Sequence, residues 1–168
     1  MPTVIRPHHV GIQVADLERS IAFYRDLLGF ELLFQWNPQS EYVRTVTGYP
    51  DADIHAAVLA FPGDTGVTLE ILEYRGVEKT PVDTRTANPG TAHIALVVDD
   101  CDALFAELTA RQVPSVSRPV MPTVGPNAGG RIVYVIDPDG IRVELISTRR
   151  AVTEFSQEEA TLASERAG

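Results

Sequence analysis

His9-Val-Gly-Ile-Gln-Val-Ala-Asp16-Leu-Glu-Arg-Ser-Ile21 and His93-Ile-Ala-Leu-Val-Val-Asp-Asp100-Cys-Asp-Ala-Leu-Phe105 are one phrase written twice, 84 residues apart. Each opens on a His, runs through an alternating apolar strand, meets an Asp seven residues on and passes into a helical pattern. Further along, Leu69-Glu70-Ile71-Leu72 is echoed by Val143-Glu144-Leu145-Ile146. Internal repetition constrains architecture more strongly than any single element.

The helices follow from spacing. Asp16 can cap the first, whose Leu17, Ile21, Tyr24 and Leu28 share a face, and Gly29 supplies a left-handed stop. Asp100 can cap the second, whose Cys101, Leu104, Phe105 and Leu108 form the buried stripe, which makes Cys101 a core thiol. Both stripes are read as core packing. Three strands are expected after each helix, at 30–36, 54–61 and 67–73, then at 115–118, 131–136 and 141–147. Asp137-Pro-Asp-Gly140 is a hairpin turn between the last two. Residues 6–74 and 91–148 are thus two βαβββ modules of an α+β chain, joined by a Thr- and Pro-rich linker at 75–90. The tail, 149–168, is polar, and a short peripheral helix at 153–164 or a frayed end suits it equally.

Composition excludes several classes. With 168 residues, 44% apolar and 22% charged, the chain can fill an ordinary core. No apolar run reaches the roughly 20 residues of a membrane-spanning helix, and the first residues lack the order of a signal peptide. The expectation is a cytoplasmic protein without a membrane role. Against 14 Lys and Arg stand 23 Asp and Glu, a net charge of −9, and Arg149-Arg150 is the only adjacent basic pair, so no nucleic-acid partner is expected. The single cysteine makes neither an internal disulfide nor a thiolate zinc site. A metal here must be held by His, Asp or Glu.

Strand parity brings such residues together. Val10, Ile12 and Val14 face the helix, while His9, Gly11 and Gln13 face away. In the second copy Ile94, Leu96 and Val98 face the helix and His93 and Ala95 face away. Glu70 shares a face with Thr68 and Leu72, and Glu144 with Arg142 and Ile146. Each module therefore offers one His from its first strand and one Glu from its last. A carboxylate inside an apolar strand is costly unless a cation meets it. Two imidazoles and two carboxylates suit a divalent transition metal with positions left open for water or substrate. His8 falls on the Val10 face by parity and has only Ala92 as its counterpart, so it is read as structural. His55, without a repeat partner, is read as a strand residue.

The phrase from His9 to Phe30, Gly90-Thr-Ala-His-Ile-Ala-Leu-Val-Val-Asp-Asp and Asp137-Pro-Asp-Gly-Ile-Arg-Val-Glu-Leu-Ile resemble the vicinal oxygen chelate superfamily, which includes glyoxalases and bleomycin-resistance proteins. The resemblance covers about residues 6–148. It implies paired βαβββ modules forming a half-open mixed β-barrel around a metal. The set His9, Glu70, His93 and Glu144 is similar to that of glyoxalase I, which implies a lyase or isomerase moving a proton next to a carbonyl. The substrate would chelate Ni, Co, Zn or Mn through neighbouring oxygens. In that likeness Glu144 is the base and Glu70 handles the proton on the opposite face. Two other readings stand beside it: an Fe(II) extradiol-type dioxygenase, for which Glu70 would be surplus, and a drug- or natural-product-binding resistance protein, whose expected mark is a lost ligand set. The family also implies a homodimer. The glutathione-contact pattern of glyoxalase I is not evident.

Around the site, residues 37–53 form a long connection of the length of a lid or binding loop. Trp36 and Tyr42 are candidates to line an aromatic pocket for a small-molecule substrate. Gly125-Pro-Asn-Ala-Gly-Gly130 is a further flexible loop. It precedes a strand rather than a helix, so it is not a phosphate loop.

Overall fold

The alternation that opens each repeat becomes an edge strand, and the Asp seven residues after each His becomes a helix cap. In the computed structural model, which describes residues 1–63, 65–148, 156, 159 and 165, the Asp16 carboxylate accepts from the Arg19 N–H at 2.9 Å. The Asp100 carboxylate accepts from the Ala103 N–H at the same distance. Both caps are as expected. The chain divides into two units, Met1–Val82 and Asp83–Gly168. The tail helix expected at 153–164 falls outside the described residues, apart from 156 and 159.

The first unit runs β1 (His9–Gln13), α1 (Leu17–Ala22), β2 (Glu31–Trp36), α2 (Glu41–Thr47), β3 (Asp53–Ala60) and β4 (Thr68–Arg75). Its sheet has the order β1-β4-β3-β2, with β1 parallel to β4 and the other pairs antiparallel. After Ala22 the helix widens into a π-type turn, Phe23–Leu27, and Gly29 then stops it at φ +75°. Leu17, Ile21, Tyr24 and Leu28 are all buried, and α1 packs on β3 and β4. Ile12 and Val14 are buried on that side, but Val10 stays 43% exposed.

One element was not expected. The connection 37–53 contains α2, although four of its seven residues, Val43, Thr45, Val46 and Thr47, are β-branched and poor helix formers. Packing overrides propensity here. Val43 is buried with Ala52 and Ile54, against Leu72, Tyr74 and Val77. Gly48 ends the helix at φ +74°.

The second unit runs β5 (His93–Val97), α3 (Cys101–Ala110), β6 (Arg131–Ile136) and β7 (Arg142–Ser147), with sheet order β5-β7-β6 and β5 parallel to β7. The strand expected at 115–118 is only two isolated bridges, Ser115 to Val135 and Val120 to Ile132. Pro114, Pro119 and Pro122 remove the N–H groups a continuous ladder would need. The 137–140 turn is as read. The Asp137 carboxylate accepts from the N–H groups of Asp139 and Ile141 at 2.9 and 2.7 Å, and Gly140 takes φ +90°. Cys101 is buried, with its thiol 3.7 Å from the Leu145 carbonyl, and desolvation pushes that thiol up. It is a core residue, as expected.

Candidate metal centre

In each unit the parallel pair of first and last strands sets the site. Gly11 registers with Glu70 across β1 and β4, so His9, two residues earlier, shares the face of Glu70. Ala95 registers with Glu144 across β5 and β7 and places His93 in the same way. The side chains meet: His9 Nε2 lies 3.4 Å from Glu70 Oε2, and His93 Nε2 lies 3.1 Å from Glu144 Oε2. The carboxylates are the more buried partners, 21% and 14% exposed against 41% and 43% for the imidazoles. Among the described residues no group of three or more His, Cys, Asp or Glu stands ready to hold a metal ion. The four predicted ligands are thus brought together as two pairs, one in each unit.

Each pair fits a cation. A metal holds imidazole nitrogen and carboxylate oxygen at about 2.1 Å, so two neighbouring ligands of one ion lie roughly 3.0–3.4 Å apart. The two measured separations fall in that range. The ion pairs of Glu70 and Glu144 are with imidazoles. The other partly buried carboxylate of β4, Glu73, instead takes a guanidinium, that of Arg75, at 2.8 Å.

Tyrosines accompany both carboxylates. Tyr134 registers with Glu144 across β6 and β7, and its ring meets His93 edge-on, with centroids 5.5 Å apart. Burial first, then the Glu144 charge and a hydrogen bond to Glu144, pushes the Tyr134 hydroxyl up. Burial, Glu70 and Tyr49 do the same to Tyr74. Sequence reasoning missed Tyr134, yet the signal was present: a turn pinned at 137–140 pairs 136 with 142, and therefore 134 with 144.

The substrate candidates divide. Trp36 registers with Ala56, two residues from Val58, the partner of Glu70, so it shares the Glu70 face and is 42% exposed. Phe34, not singled out from sequence, registers with Val58 on that face and is 53% exposed. Tyr42 stands on α2 and is 63% exposed, while Val43 beside it takes the packed position. The 125–130 loop lines a cavity of about 880 Å³ within the second unit, together with Val97, Asp99 and Ser147. Val97 is four residues along β5 from His93 and shares its parity.

His8, read as structural, is exposed. It lies one residue before β1, and its ring meets that of His9, with the two Nδ1 atoms 2.7 Å apart. His55 is a strand residue on β3, as read, paired with the Asp53 carboxylate at 3.0 Å. It registers with Glu73, on the face opposite Glu70.

Two βαβ-based units, each presenting an imidazole from its first strand and a carboxylate from its last, define a class of small α+β proteins built by duplication. The profile of the Glyoxalase/Bleomycin resistance protein/Dioxygenase superfamily matches residues 6–145, and the chain belongs to that superfamily. It is 34% identical over 146 residues to a lactoylglutathione lyase of Haemophilus influenzae, spanning 84% of this chain and 91% of that one. It is 31% identical over 151 residues to a 2-epi-5-epi-valiolone epimerase of an Actinomyces species, spanning 88% and 81%. A solved glyoxalase family protein from Bacillus cereus shares the fold, with a TM-score of 0.73 at 23% identity over 88% of this chain and 96% of that one.

Proposed function

We propose that this chain is a metal-dependent lyase or isomerase of the glyoxalase I type, with His9, Glu70, His93 and Glu144 together holding one divalent Ni, Co, Zn or Mn ion. The observation that carries the reading is the pair of matched His–Glu contacts at equivalent register positions, each at the separation two ligands of one ion require. Likeness over 84% of the chain to a lyase and over 88% of it to an epimerase supports it. A small-molecule substrate, a homodimer and a cytoplasmic setting complete the proposal.

The bound ion would polarise two neighbouring substrate oxygens and stabilise negative charge there. The rest falls to the chain. The Glu144 carboxylate takes the proton from the carbon beside the carbonyl, and the C–H electron pair moves toward the carbonyl oxygen. The same proton is then returned to the substrate, so that the carboxylates end as they began, with Glu70 taking or returning it on the opposite face. The Tyr134 hydroxyl holds the Glu144 carboxylate between turnovers, and its ring edge fixes the His93 imidazole. Trp36 and Phe34 provide an apolar wall on the Glu70 face.

The test is a Glu144→Gln variant, which keeps an oxygen donor but no base. With lactoylglutathione as the probe, it should keep its metal by elemental mass spectrometry and lose turnover by about 10²-fold or more. A variant with its metal and full turnover would refute the base assignment.

A further inference from the structure

The two His–Glu pairs are alike in distance but not in what stands behind the imidazole. His93 follows Ala92, and Tyr134 meets its ring edge-on. His9 follows His8, and their rings cross at 78° with centroids 5.0 Å apart and Nδ1 atoms 2.7 Å apart. Two imidazole nitrogens at that distance share one proton, one donating and the other accepting. The contact uses the Nδ1 edge of His9 and leaves Nε2 on the side of Glu70. An imidazole that offers the Nε2 lone pair to a cation carries its own proton on Nδ1, and that N–H is held best when an acceptor fixes it.

We propose that His8 is this acceptor, a positioning residue that fixes the tautomer and ring orientation of His9 for metal binding. The proposal rests on reading His9 as a ligand. In it the His8 Nδ1 lone pair takes the Nδ1–H of His9, and His8 keeps its own proton on Nε2. The backbone helps hold His8 there, because its carbonyl accepts from the Thr68 N–H at 3.4 Å, one step beyond the β1–β4 ladder. The first unit thus orients its imidazole by a hydrogen bond to the preceding residue, where the second uses an aromatic edge from across the sheet.

The test compares His8→Phe, which keeps a ring without its nitrogens, with His8→Asn, whose side-chain oxygen can replace Nδ1 as acceptor. Zn²⁺ affinity is measured on the metal-free full chain by competition with a chromophoric chelator. Loss of a partner that orients a ligating His costs about 10–100-fold in affinity, and an exposed site belongs near the low end. His8→Phe is therefore expected to bind about tenfold more weakly, with His8→Asn close to wild type. Long-range proton–nitrogen spectra of the zinc-loaded wild type should show His8 protonated on Nε2 and His9 on Nδ1. Unchanged affinity in His8→Phe, equal losses in both variants, or His8 protonated on Nδ1 would overturn the proposal while leaving the metal centre standing. A wild-type chain that binds no zinc would remove the metal reading and this inference with it.

Discussion

Glu70 and Glu73 stand three residues apart on β4 and face opposite ways, and that difference decides what each one does. Glu73 turns toward α1, is 8% exposed, and accepts both a two-pronged contact from the Arg75 guanidinium at 2.8 Å and the Leu17 N–H at 3.3 Å. These partners, Arg75 foremost, hold its carboxyl below the usual carboxylate range against the opposing effect of burial. Its cation is supplied by the chain, so its role is structural. A group whose folded pKa is depressed stabilises the fold above its unfolded pKa and loses that contribution as pH falls through the folded value. A Glu73→Gln variant should therefore be less stable at pH 7 by on the order of 1 kcal/mol, a modest figure because Arg75 lies half in water. The gap should close as denaturant midpoints are followed downward from about pH 4.5, the ordinary value for this carboxyl. A gap that stays constant down to pH 3 would show that the charge is not its source. At this scale the sequence was legible where parity alone sufficed, as for the face that His9 shares with Glu70 and the face that His93 shares with Glu144. The contact between His8 and His9 depends on ring torsions, which parity does not specify.

At the scale of elements, the end of α3 is built against its own residue type. The Val113 N–H reaches the Leu108 carbonyl at 3.0 Å and the Gln112 N–H reaches that of Thr109 at 2.9 Å, the two hydrogen bonds of a Schellman stop. That stop needs a left-handed residue just past the helix. Gln112 occupies the place at φ +62°, the only non-glycine positive φ among the described residues. A side chain there carries a cost that glycine avoids. Gln112→Gly is expected to stabilise the chain by about 0.5–1 kcal/mol, less the extra freedom glycine gains when unfolded, and to raise Tm by about 1–4 °C. A lower Tm would mean that the Gln side chain contributes contacts worth more than the backbone strain. The same scale explains what was hidden in the sequence. The turn at 137–140 carries its signal in four adjacent residues, so it was readable. Helix α2 is set by Val43 packing on Ile54, Leu72 and Tyr74, residues up to 31 positions away, against its own propensity. The strand expected at 115–118 fails because nearby prolines cannot donate, leaving two bridges.

For the whole molecule, duplication made the fold legible: a His-led strand, an Asp cap and a late Glu recur 84 residues apart, and no single motif had to carry the reading. Duplication also sets the donor count. Each unit offers one imidazole and one carboxylate, and two protein ligands are fewer than the three that catalytic metal sites ordinarily use. Two separate sites per chain would each be weak. One site drawing on both pairs, from one chain or across a dimer, would be tight. The expected stoichiometry is therefore one metal per chain rather than two, with Glu70→Ala and Glu144→Ala each weakening the same ion. Thermodynamic linkage gives the magnitude. At free metal about 1,000 times Kd, the wild type should gain about 4 kcal/mol of stability, and a hundredfold weaker variant only about 1.4 kcal/mol. Thermal unfolding with and without a chelator, alongside elemental analysis, measures both quantities. Two ions per chain, or a Glu70→Ala variant that loses half its metal and keeps the rest at full affinity, would show that the pairs act separately and that the four-ligand site is wrong.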